Sequence, residues 1–352
     1  MYRYIGNKTK LLPHIMEKTR ELIGSEGVVA DIMAGTGLVS LEFRKNGYNV
    51  IASDMMTYSY HHLNTHLLLS SSPKFESLYS SAITTLENPK ERYQEVLNHL
   101  NALPPMNGFF HQEFSPEGTP QYGGSPRIYF SPENASRIDS IRKEINLWID
   151  RGLLTPVEES LLKHTLIMAV NEVANISGTY GHHLSQLKKN SLRTMVLKTQ
   201  EIEVKNPRNH KVILGFAEDL AKDIKADLCY IDPPYMKRQY AANYHILETV
   251  ARGDTPDAIG KSGLRDWWDQ HSKLCTKTKG LESLETIIKS IDCPKFLISY
   301  SEDGLFTLAQ LEDLFSKYGK VNTEVIDYNR FRSNDSPLPK KLKEYLISIE
   351  RK

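Results

Sequence analysis

The sequence contains few cysteines and no long apolar run. Its three cysteines, Cys229, Cys275 and Cys293, are too far apart for a metal site or a disulfide framework. No stretch reaches the roughly 18 apolar residues of a membrane-spanning helix, and the N-terminal residues lack the apolar core of a secretory signal. We therefore expect a cytoplasmic protein with no membrane partner and no metal site.

An excess of one charge sign is also absent. The chain has 44 basic and 43 acidic residues, a net charge of +1, so bulk electrostatics do not indicate a polyanionic partner. Local basic clusters remain, each of them either solvated surface or a phosphate-binding surface. They are Lys188, Lys189 and Arg193; Lys205, Arg208, His210 and Lys211; and Arg330, Arg332, Lys340, Lys341 and Lys343.

Both ends of the sequence alternate between strand-like and helix-like patterns. Near the N-terminus the pattern predicts an amphipathic helix within 8–23, strands at 28–32 and 48–52, and a helix at 38–45 between them. The alternation resumes with strands at 211–214, 228–231, 295–300 and 321–326, a short helix at 218–224, a helix at 307–317 and an edge strand at 345–349. These patterns predict an α/β fold with a mostly parallel sheet.

The middle of the chain interrupts this alternation. Residues 71–135 are dense in proline and glycine, which predicts long loops, and helices follow near 133–150 and 156–175. A polar stretch up to about residue 212 reads as rich in β structure. We therefore predict one domain formed by 1–70 and 206–352, with 71–205 inserted into it.

A glycine-rich turn follows the first predicted strand. Asp31 is followed by Gly35 and Gly37, and glycines at the end of a parallel strand let a ligand approach the backbone. Asp54, at the end of the next strand, can accept hydrogen bonds from a ribose. A dinucleotide fits less well, because Ser40 replaces the third glycine of its fingerprint and Asp31 would repel a pyrophosphate. A carboxylate here suits a cofactor with a cationic amine, such as S-adenosylmethionine.

The tetrapeptide Asp232-Pro233-Pro234-Tyr235 is the strongest signal in the sequence. It follows a buried strand, and its two prolines fix the backbone and donate no hydrogen bonds. The corner therefore offers only acceptors, followed by an aromatic ring that can stack on a planar base. Acceptors at both N–H bonds of an aromatic amine increase its nucleophilicity, and they bind more strongly as positive charge develops. The tetrapeptide thus suits direct methyl transfer to such an amine.

Taken together, these segments resemble the Dam-like adenine-specific DNA N6-methyltransferases, and in particular the methylases of type II restriction-modification systems. Tyr4 to Leu12 is similar to the segment of that family that closes over the cofactor. Asp31 to Gly37 is similar to the cofactor loop, with Met33 in place of the usual phenylalanine. Asp219, favoured over Glu218, matches the acid that contacts the cofactor adenine. The resemblance implies cofactor contacts from Tyr4, Asn7, Lys8, Asp31, Ala34, Gly35, Gly37, Asp54, Asp219 and Asp232.

The resemblance also implies a fold and a partner. The fold would be the Rossmann-like fold of S-adenosylmethionine-dependent methyltransferases, with a mixed sheet and an inserted, mainly helical target-recognition region. The substrate would be adenine flipped out of double-stranded DNA, with catalysis by Asp232, Pro233, Pro234 and Tyr235. Tyr244 and Tyr300 read as core residues or as pocket lining, and Lys188, Lys189 and Arg332 as phosphate contacts. A cognate restriction endonuclease would be a separate chain.

Several alternatives remain open from the sequence. Methylation of cytosine N4 shares the mechanism, and related enzymes act on RNA or on protein glutamine. A dinucleotide-dependent oxidoreductase and an inactive DNA-binding module belong to other classes. The adjacent pairs His61-His62 and His182-His183 read as surface or packing residues, since neighbouring side chains do not readily bind one metal ion.

Overall fold

A computed structural model describes residues 4–81, 91–203, 209–329 and 341–351. The chain divides into two compact units, each built from separate stretches. The sheet unit consists of Asn7–Leu67, Lys205–Gln239 and Gln270–Lys352. The helical unit consists of Met1–Gly6, Leu68–Val204 and Tyr240–Asp269, so it includes most of the predicted insertion and a later segment. The assignment of target recognition to residues 71–205 stays a prediction.

The sheet unit is built on a seven-stranded sheet with the order β3-β2-β1-β4-β5-β7-β6. Its strands are β1 Val28–Asp31, β2 Asn49–Asp54, β3 Lys211–Leu214, β4 Leu228–Ile231, β5 Lys295–Ser301, β6 Gly319–Asn329 and β7 Lys341–Arg351. Only β7 runs opposite to the other strands, pairing antiparallel with both β5 and β6. The prediction of a mixed, mostly parallel sheet is confirmed.

The two faces of this sheet are covered by different helices. Alternate strand residues point to opposite faces, so Val29 and Tyr230 pack on one side while Ala30 and Cys229 pack on the other. The first side is covered by α1 Leu12–Ile23, α2 Leu38–Lys45 and α3 Thr57–Leu68. The second is covered by α9 Ala217–Leu220, α12 Gly280–Ser290 and α13 Leu308–Ser316. Short 3-10 helices span Ala221–Asp223, Trp268–Gln270 and Lys273–Cys275.

Two long helices form the centre of the helical unit, and both lie where the sequence predicts them. Ser131 caps the first helix by accepting from the Asn134 N–H, and Thr155 forms a capping box with Glu158 at the second. Each helix has a proline in its first turn, where no N–H donor is needed. The helices of this unit are α4 Glu76–Ser81, α5 Arg92–Ala102, α6 Phe109–Phe114, α7 Pro132–Asp150, α8 Pro156–Val173, α10 Tyr240–Asn243 and α11 His245–Arg252.

Two predictions for the helical unit are wrong. In its described part, the stretch 71–135 contains α4, α5, α6 and the beginning of α7, rather than long loops alone. The predicted β-rich stretch after residue 181 contains no strand within its described part, up to residue 203. Its backbone groups bond instead to side-chain amides: Asn134 binds the backbone of Ser191, Arg193 and Met195. Such contacts leave no periodic pattern in the sequence.

The predicted position of the last strand is also wrong. β7 is an internal strand, and the edge beside it is β6. Burial in 345–349 does not alternate, because the strand lies between two neighbours and both of its faces are covered: Leu346, Ile347 and Ile349 are all at most 1% exposed. Within the described residues, none of the helices has both the length and the apolar character needed to cross a membrane.

Candidate active site

Three predicted acids lie at one edge of the sheet. Asp31 is the last residue of β1, Asp54 is the last residue of β2, and Asp232 follows Ile231 at the end of β4. Because β1 pairs in parallel with both β2 and β4, the three carboxyl ends are neighbours. This is the edge at which open α/β sheets bind ligands.

The glycine turn after β1 is tied to the end of β2. The Gly35 N–H donates to Oδ2 of Asp54 over 2.8 Å, and the Ala34 N–H donates to the Ser53 carbonyl over 3.1 Å. Gly37 directly precedes α2 with φ of +75°, and a Cβ there would lie 3.0 Å from the Leu63 side chain. A side chain at this position would therefore be strained and crowded. The turn requires glycine for its own shape as well as for the approach of a ligand.

Asp31 is a buried acid with incomplete hydrogen bonding. It is 1% exposed, Oδ2 accepts from the Ser40 hydroxyl over 2.6 Å, and Oδ1 has no partner within the described residues. Burial raises its pKa to about 7, and the charges of Asp232 and Asp54 act in the same direction against the Ser40 hydrogen bond. A cationic group beside Oδ1 would satisfy this oxygen and restore the charge.

The tetrapeptide corner lies beside a buried lysine. Nζ of Lys8 is 3.0 Å from Oδ1 of Asp232 and 5.0 Å from the centre of the Tyr235 ring. Burial lowers the pKa of the Lys8 ammonium, but the charges around it, Asp232 first, hold that pKa well above its ordinary value. Burial also raises the pKa of Asp232, against the opposing effect of Lys8. The corner therefore consists of a carboxylate–ammonium pair with the Tyr235 ring beside it.

The Tyr235 ring is held in place by residues on the second side of the sheet. The Tyr235 ring meets Tyr300 edge-on with centroids 6.0 Å apart, and the Tyr235 carbonyl accepts from the Leu305 N–H over 2.9 Å. Burial raises the pKa of Tyr235 to about 12, so its phenol is neutral. Tyr300 is 1% exposed and packs in the core, which makes it a support for Tyr235 rather than an exposed lining residue.

The remaining predicted cofactor contacts are distributed over both units. In the sheet unit, Oδ1 of Asn7 accepts from the Thr9 N–H over 2.9 Å, and Asp219 is exposed on α9. The alternative residue, Glu218, is hydrogen-bonded to the Ser283 hydroxyl. Tyr4 belongs to the helical unit, where it stacks on the buried Tyr244 with centroids 4.8 Å apart. The roles of these residues stay predictions.

The basic and histidine clusters have different environments. Lys188, Lys189 and Arg193 are exposed on the helical unit. His61 and His62 are buried on α3, which confirms packing for that pair. The described residues contain no group of three or more histidine, cysteine or acidic side chains that could hold a metal ion. Of the other predicted basic residues, Lys205, Arg208, Arg330, Arg332 and Lys340 lie outside the described part of the chain.

The sequence reading missed one charged residue of this site, Glu344 on β7. It is 6% exposed and interacts electrostatically with both Lys8 and Asp232. The sequence pattern could have identified Glu344 as a buried acid. It lies two residues from the buried Leu342 and Leu346 and thus falls on the apolar face of a strand. Nothing in the sequence indicated that this strand runs antiparallel, which is what brings its first residues to this edge.

The edge fits a cationic nucleoside cofactor. Asp31, Asp54, Asp232 and Glu344 outnumber the single ammonium of Lys8, so the described site carries an excess of acidic groups. The unpartnered Oδ1 of Asp31 and the glycine turn suit the ammonium and the backbone-like part of an amino-acid cofactor. The ribose would lie at Asp54. The α/β fold and the acids at this edge suit a nucleoside cofactor of positive charge.

The comparisons with known proteins give the family. The family model for the D12 class N6 adenine-specific DNA methyltransferase matches residues 4–316. This chain belongs to that family. Its fold is therefore the Rossmann-like fold of methyltransferases, as the sequence predicted, and the dinucleotide-dependent oxidoreductase is not supported.

Individual relatives agree with the family. The chain is 33% identical to the type II methyltransferase M.FokI of Planomicrobium okeanokoites and to the modification methylase StsI of Streptococcus sanguinis, in each case over 99% of this chain and 52% of the relative. It is also 33% identical to the type II methyltransferase M.NlaIII of Neisseria lactamica, over 94% of this chain and 92% of the relative. The chain thus spans about half the length of the first two relatives and most of the third.

Proposed function

We propose that this chain is a site-specific DNA methyltransferase that transfers the methyl group of S-adenosylmethionine to N6 of adenine. The observation that carries the proposal is the Asp232–Tyr235 corner, whose carboxylate and aromatic ring lie at the same sheet edge as Asp31 and Asp54. Membership in the adenine-specific family supports adenine over cytosine.

The cofactor would be held by the N-terminal half of the sheet. Asp31 would pair with its ammonium group, Ala34, Gly35 and Gly37 would line its path, and Asp54 would accept from its ribose. Asp219 would contact its adenine, while Tyr4, Asn7 and Lys8 belong to the segment expected to close over it. When bound, S-adenosylmethionine supplies a methyl group activated by positively charged sulfur.

The corner would act on the target amine. Asp232 accepts a hydrogen bond from the amine and stabilises the positive charge that develops on nitrogen. Pro233 and Pro234 leave only carbonyl acceptors along this part of the backbone, and Tyr235 stacks on the base. Partial burial of Asp232, whose side chain is 19% exposed, strengthens these contacts, because water competes less for its oxygens. The residues thus orient the amine for in-line attack without a covalent enzyme intermediate.

Such chemistry requires the adenine to leave the DNA stack, so we expect base flipping into this site. Double-stranded DNA is the proposed partner, and exposed lysines such as Lys188 and Lys189 are candidates for phosphate contacts. Since several relatives are named as type II methyltransferases or modification methylases, we further propose that the chain protects DNA against a cognate restriction endonuclease.

Methylation of genomic DNA by the purified protein, followed by single-molecule sequencing, tests the proposal by identifying the modified base and its context. We expect Asp232→Ala to reduce methyl transfer by about 1,000-fold or more, because it removes the acceptor that responds to developing charge. Cofactor affinity, measured by calorimetry, should remain within a few-fold of the unmodified protein.

The control is Asp313→Ala, which removes an exposed carboxylate from α13 in the same unit. Retention of full turnover by the Asp232→Ala protein would contradict the catalytic role, and N4-methylcytosine as the product would contradict the choice of base.

A further inference from the structure

Glu344 lies at the active edge because its strand is reversed. It pairs with Ser301, the last residue of β5, in the antiparallel ladder between β5 and β7. The beginning of β7 therefore meets the edge at which the parallel strands end. Glu344 is 6% exposed, and its Oε2 has no hydrogen-bond partner among the described residues. A buried carboxylate oxygen without a donor is costly unless it serves another interaction.

The face of the sheet on which Glu344 lies is the one that α1 covers. Leu346, two residues further along β7, packs with Tyr230 and with α1 residues in one core cluster. Residues two apart on a strand share a face, so Glu344 faces the side from which Lys8 enters, just before α1. Two other buried oxygens there, Oη of Tyr230 and Oγ of Ser299, also lack hydrogen-bond partners among the described residues.

The charges at this point comprise two carboxylates and one ammonium. Nζ of Lys8 is 3.0 Å from Asp232, and Glu344 and Lys8 interact attractively. Burial raises the pKa of Glu344 to about 7, Lys8 opposes that rise, and Asp232 adds to it. The ionisable groups facing this cluster are Lys8 from the N-terminal segment, Asp31 from β1, Tyr230 from β4, Asp232 and Tyr235 from the corner, and Asp303 after β5.

A lysine fully committed to Asp232 would interfere with the proposed chemistry. The ammonium would compete with the target amine for the same carboxylate lone pairs, and it would weaken the negative charge that stabilises the reacting nitrogen. A second carboxylate that interacts with the ammonium reduces this competition, because it takes part of the cation's interaction away from Asp232.

We propose that Glu344 is a positioning residue that shares the Lys8 ammonium with Asp232 and so leaves the Asp232 carboxylate available to the target amine. The inference rests on the proposed function and assigns to Glu344 a regulation of that site. The direction in which the rate of methyl transfer changes with pH follows from the charge of Glu344. The ionised form shares Lys8, whereas the protonated form does not, so the rate of methyl transfer should rise as pH increases through about 7.

The test measures single-turnover methyl transfer to DNA, with S-adenosylmethionine bound beforehand, between pH 6 and pH 8.5. The Glu344→Gln protein resembles the protonated form at every pH. We expect its rate to be about tenfold below that of the unmodified protein at pH 8.5 and within about twofold at pH 6. Glu344→Asp, which keeps the charge, should recover the rise with pH.

The matched control is Glu350→Gln, because Glu350 is exposed on the same strand and undergoes the same loss of charge. An unchanged rise with pH in the Glu344→Gln protein would overturn the inference while leaving the proposed function intact. An equal loss at both ends of the pH range would also overturn it, because it would show a purely structural role.

A second measurement does not depend on catalysis. Melting temperatures of Lys8→Met, Glu344→Gln and the double variant form a double-mutant cycle. Sharing of the ammonium predicts that the two substitutions are non-additive at pH 8.5 and become more nearly additive at pH 6. Additivity at both pH values would show that Glu344 does not interact with Lys8, whatever the chain methylates. If instead the cycle shows coupling but no DNA is methylated, the proposed function fails and the contact stands.

Discussion

The two units of this protein satisfy their backbone hydrogen bonds in different ways. In the sheet unit, the strands pair with one another, and the backbone groups of β1 bond to β2 on one side and β4 on the other. In the helical unit, the irregular chain after α8 is held by side chains that lie far away in the sequence. The side-chain amide of Asn101, for example, donates to the Leu197 carbonyl and accepts from the Leu197 N–H.

The difference indicates which side-chain substitutions would disturb the backbone of each unit. A strand in the sheet depends on many similar backbone bonds, so most single side-chain changes leave its path intact. The chain after α8 depends on a few amides, each of which serves two or three backbone groups. The two units also differ in their chemistry, since the acids of the candidate site all lie in the sheet unit, from β1 to β7. Changes in the two units should therefore affect different properties.

The largest effect on cofactor binding is expected in the sheet unit, from Asp31→Ala. If Asp31 pairs with the cofactor ammonium, its removal should weaken S-adenosylmethionine binding by more than 100-fold, or about 3 kcal/mol, as for the loss of one partner of a buried charge pair. Calorimetry at pH 8 measures this affinity. Asp223→Ala, an exposed acid of the same unit, is the control, and an affinity equal to that of the unmodified protein would contradict the role of Asp31.

In the helical unit, Asn134→Ala should reduce stability without affecting the cofactor. It removes hydrogen bonds to the backbone of Ser191, Arg193 and Met195, and we expect a loss of about 2 kcal/mol in the free energy of unfolding. Denaturant unfolding provides the measurement, with Asn190→Ala, an exposed asparagine of the same unit, as the control. A fall in cofactor affinity larger than a few-fold would break the proposed separation between the units.

A smaller effect is expected from Asp31→Asn, which should raise the stability of the ligand-free protein, whereas Asn134→Ala should lower stability. The pKa of Asp31, about 7, lies above its ordinary value of 3.8, so the stability linked to this group is present below about pH 4 and is lost as pH rises through 7. At pH 8 the asparagine should stabilise the ligand-free protein by on the order of 1 kcal/mol. At pH 5 the gain should be clearly smaller, because only part of the stability that is lost between about pH 4 and pH 7 has been lost at that pH.

Melting temperatures at pH 5 and pH 8 test this expectation. An equal gain at both values would mean that the charge of Asp31 is not the cause, and Asp223→Asn should show no gain at either pH. If the gain in melting temperature is larger at pH 8 than at pH 5, the ionised Asp31 carboxylate that serves the cofactor lowers the stability of the ligand-free protein.

The sheet was predictable to the extent that its strands leave a pattern. β4 begins and ends where the apolar run predicts, and α2 has the predicted bounds. The internal place of β7 was not predictable, because strand order depends on contacts between distant residues. In the helical unit, the two long helices lie close to their predicted positions, whereas amide contacts such as those of Asn101 leave no local signal.

The same distinction applies to the candidate site. Asp31, Asp54 and Asp232 were predictable because each lies at the carboxyl end of a strand, and these ends of a parallel sheet meet at one edge. The closeness of Lys8 to Asp232 was not predictable by spacing, since it depends on how α1 packs on the sheet. Glu344 was missed for a related reason: its contribution requires the one reversed strand.

A backbone fixed by amides elsewhere in the fold places few demands on its own outward side chains. Residues 188–190 and 192–194 are exposed, while the bonds that hold this segment come from Asn134 and Asn175 beneath it. New side chains at the exposed positions would alter the surface chemistry with little cost in folding free energy. This part of the molecule can therefore accumulate substitutions on its surface while its chain path stays the same.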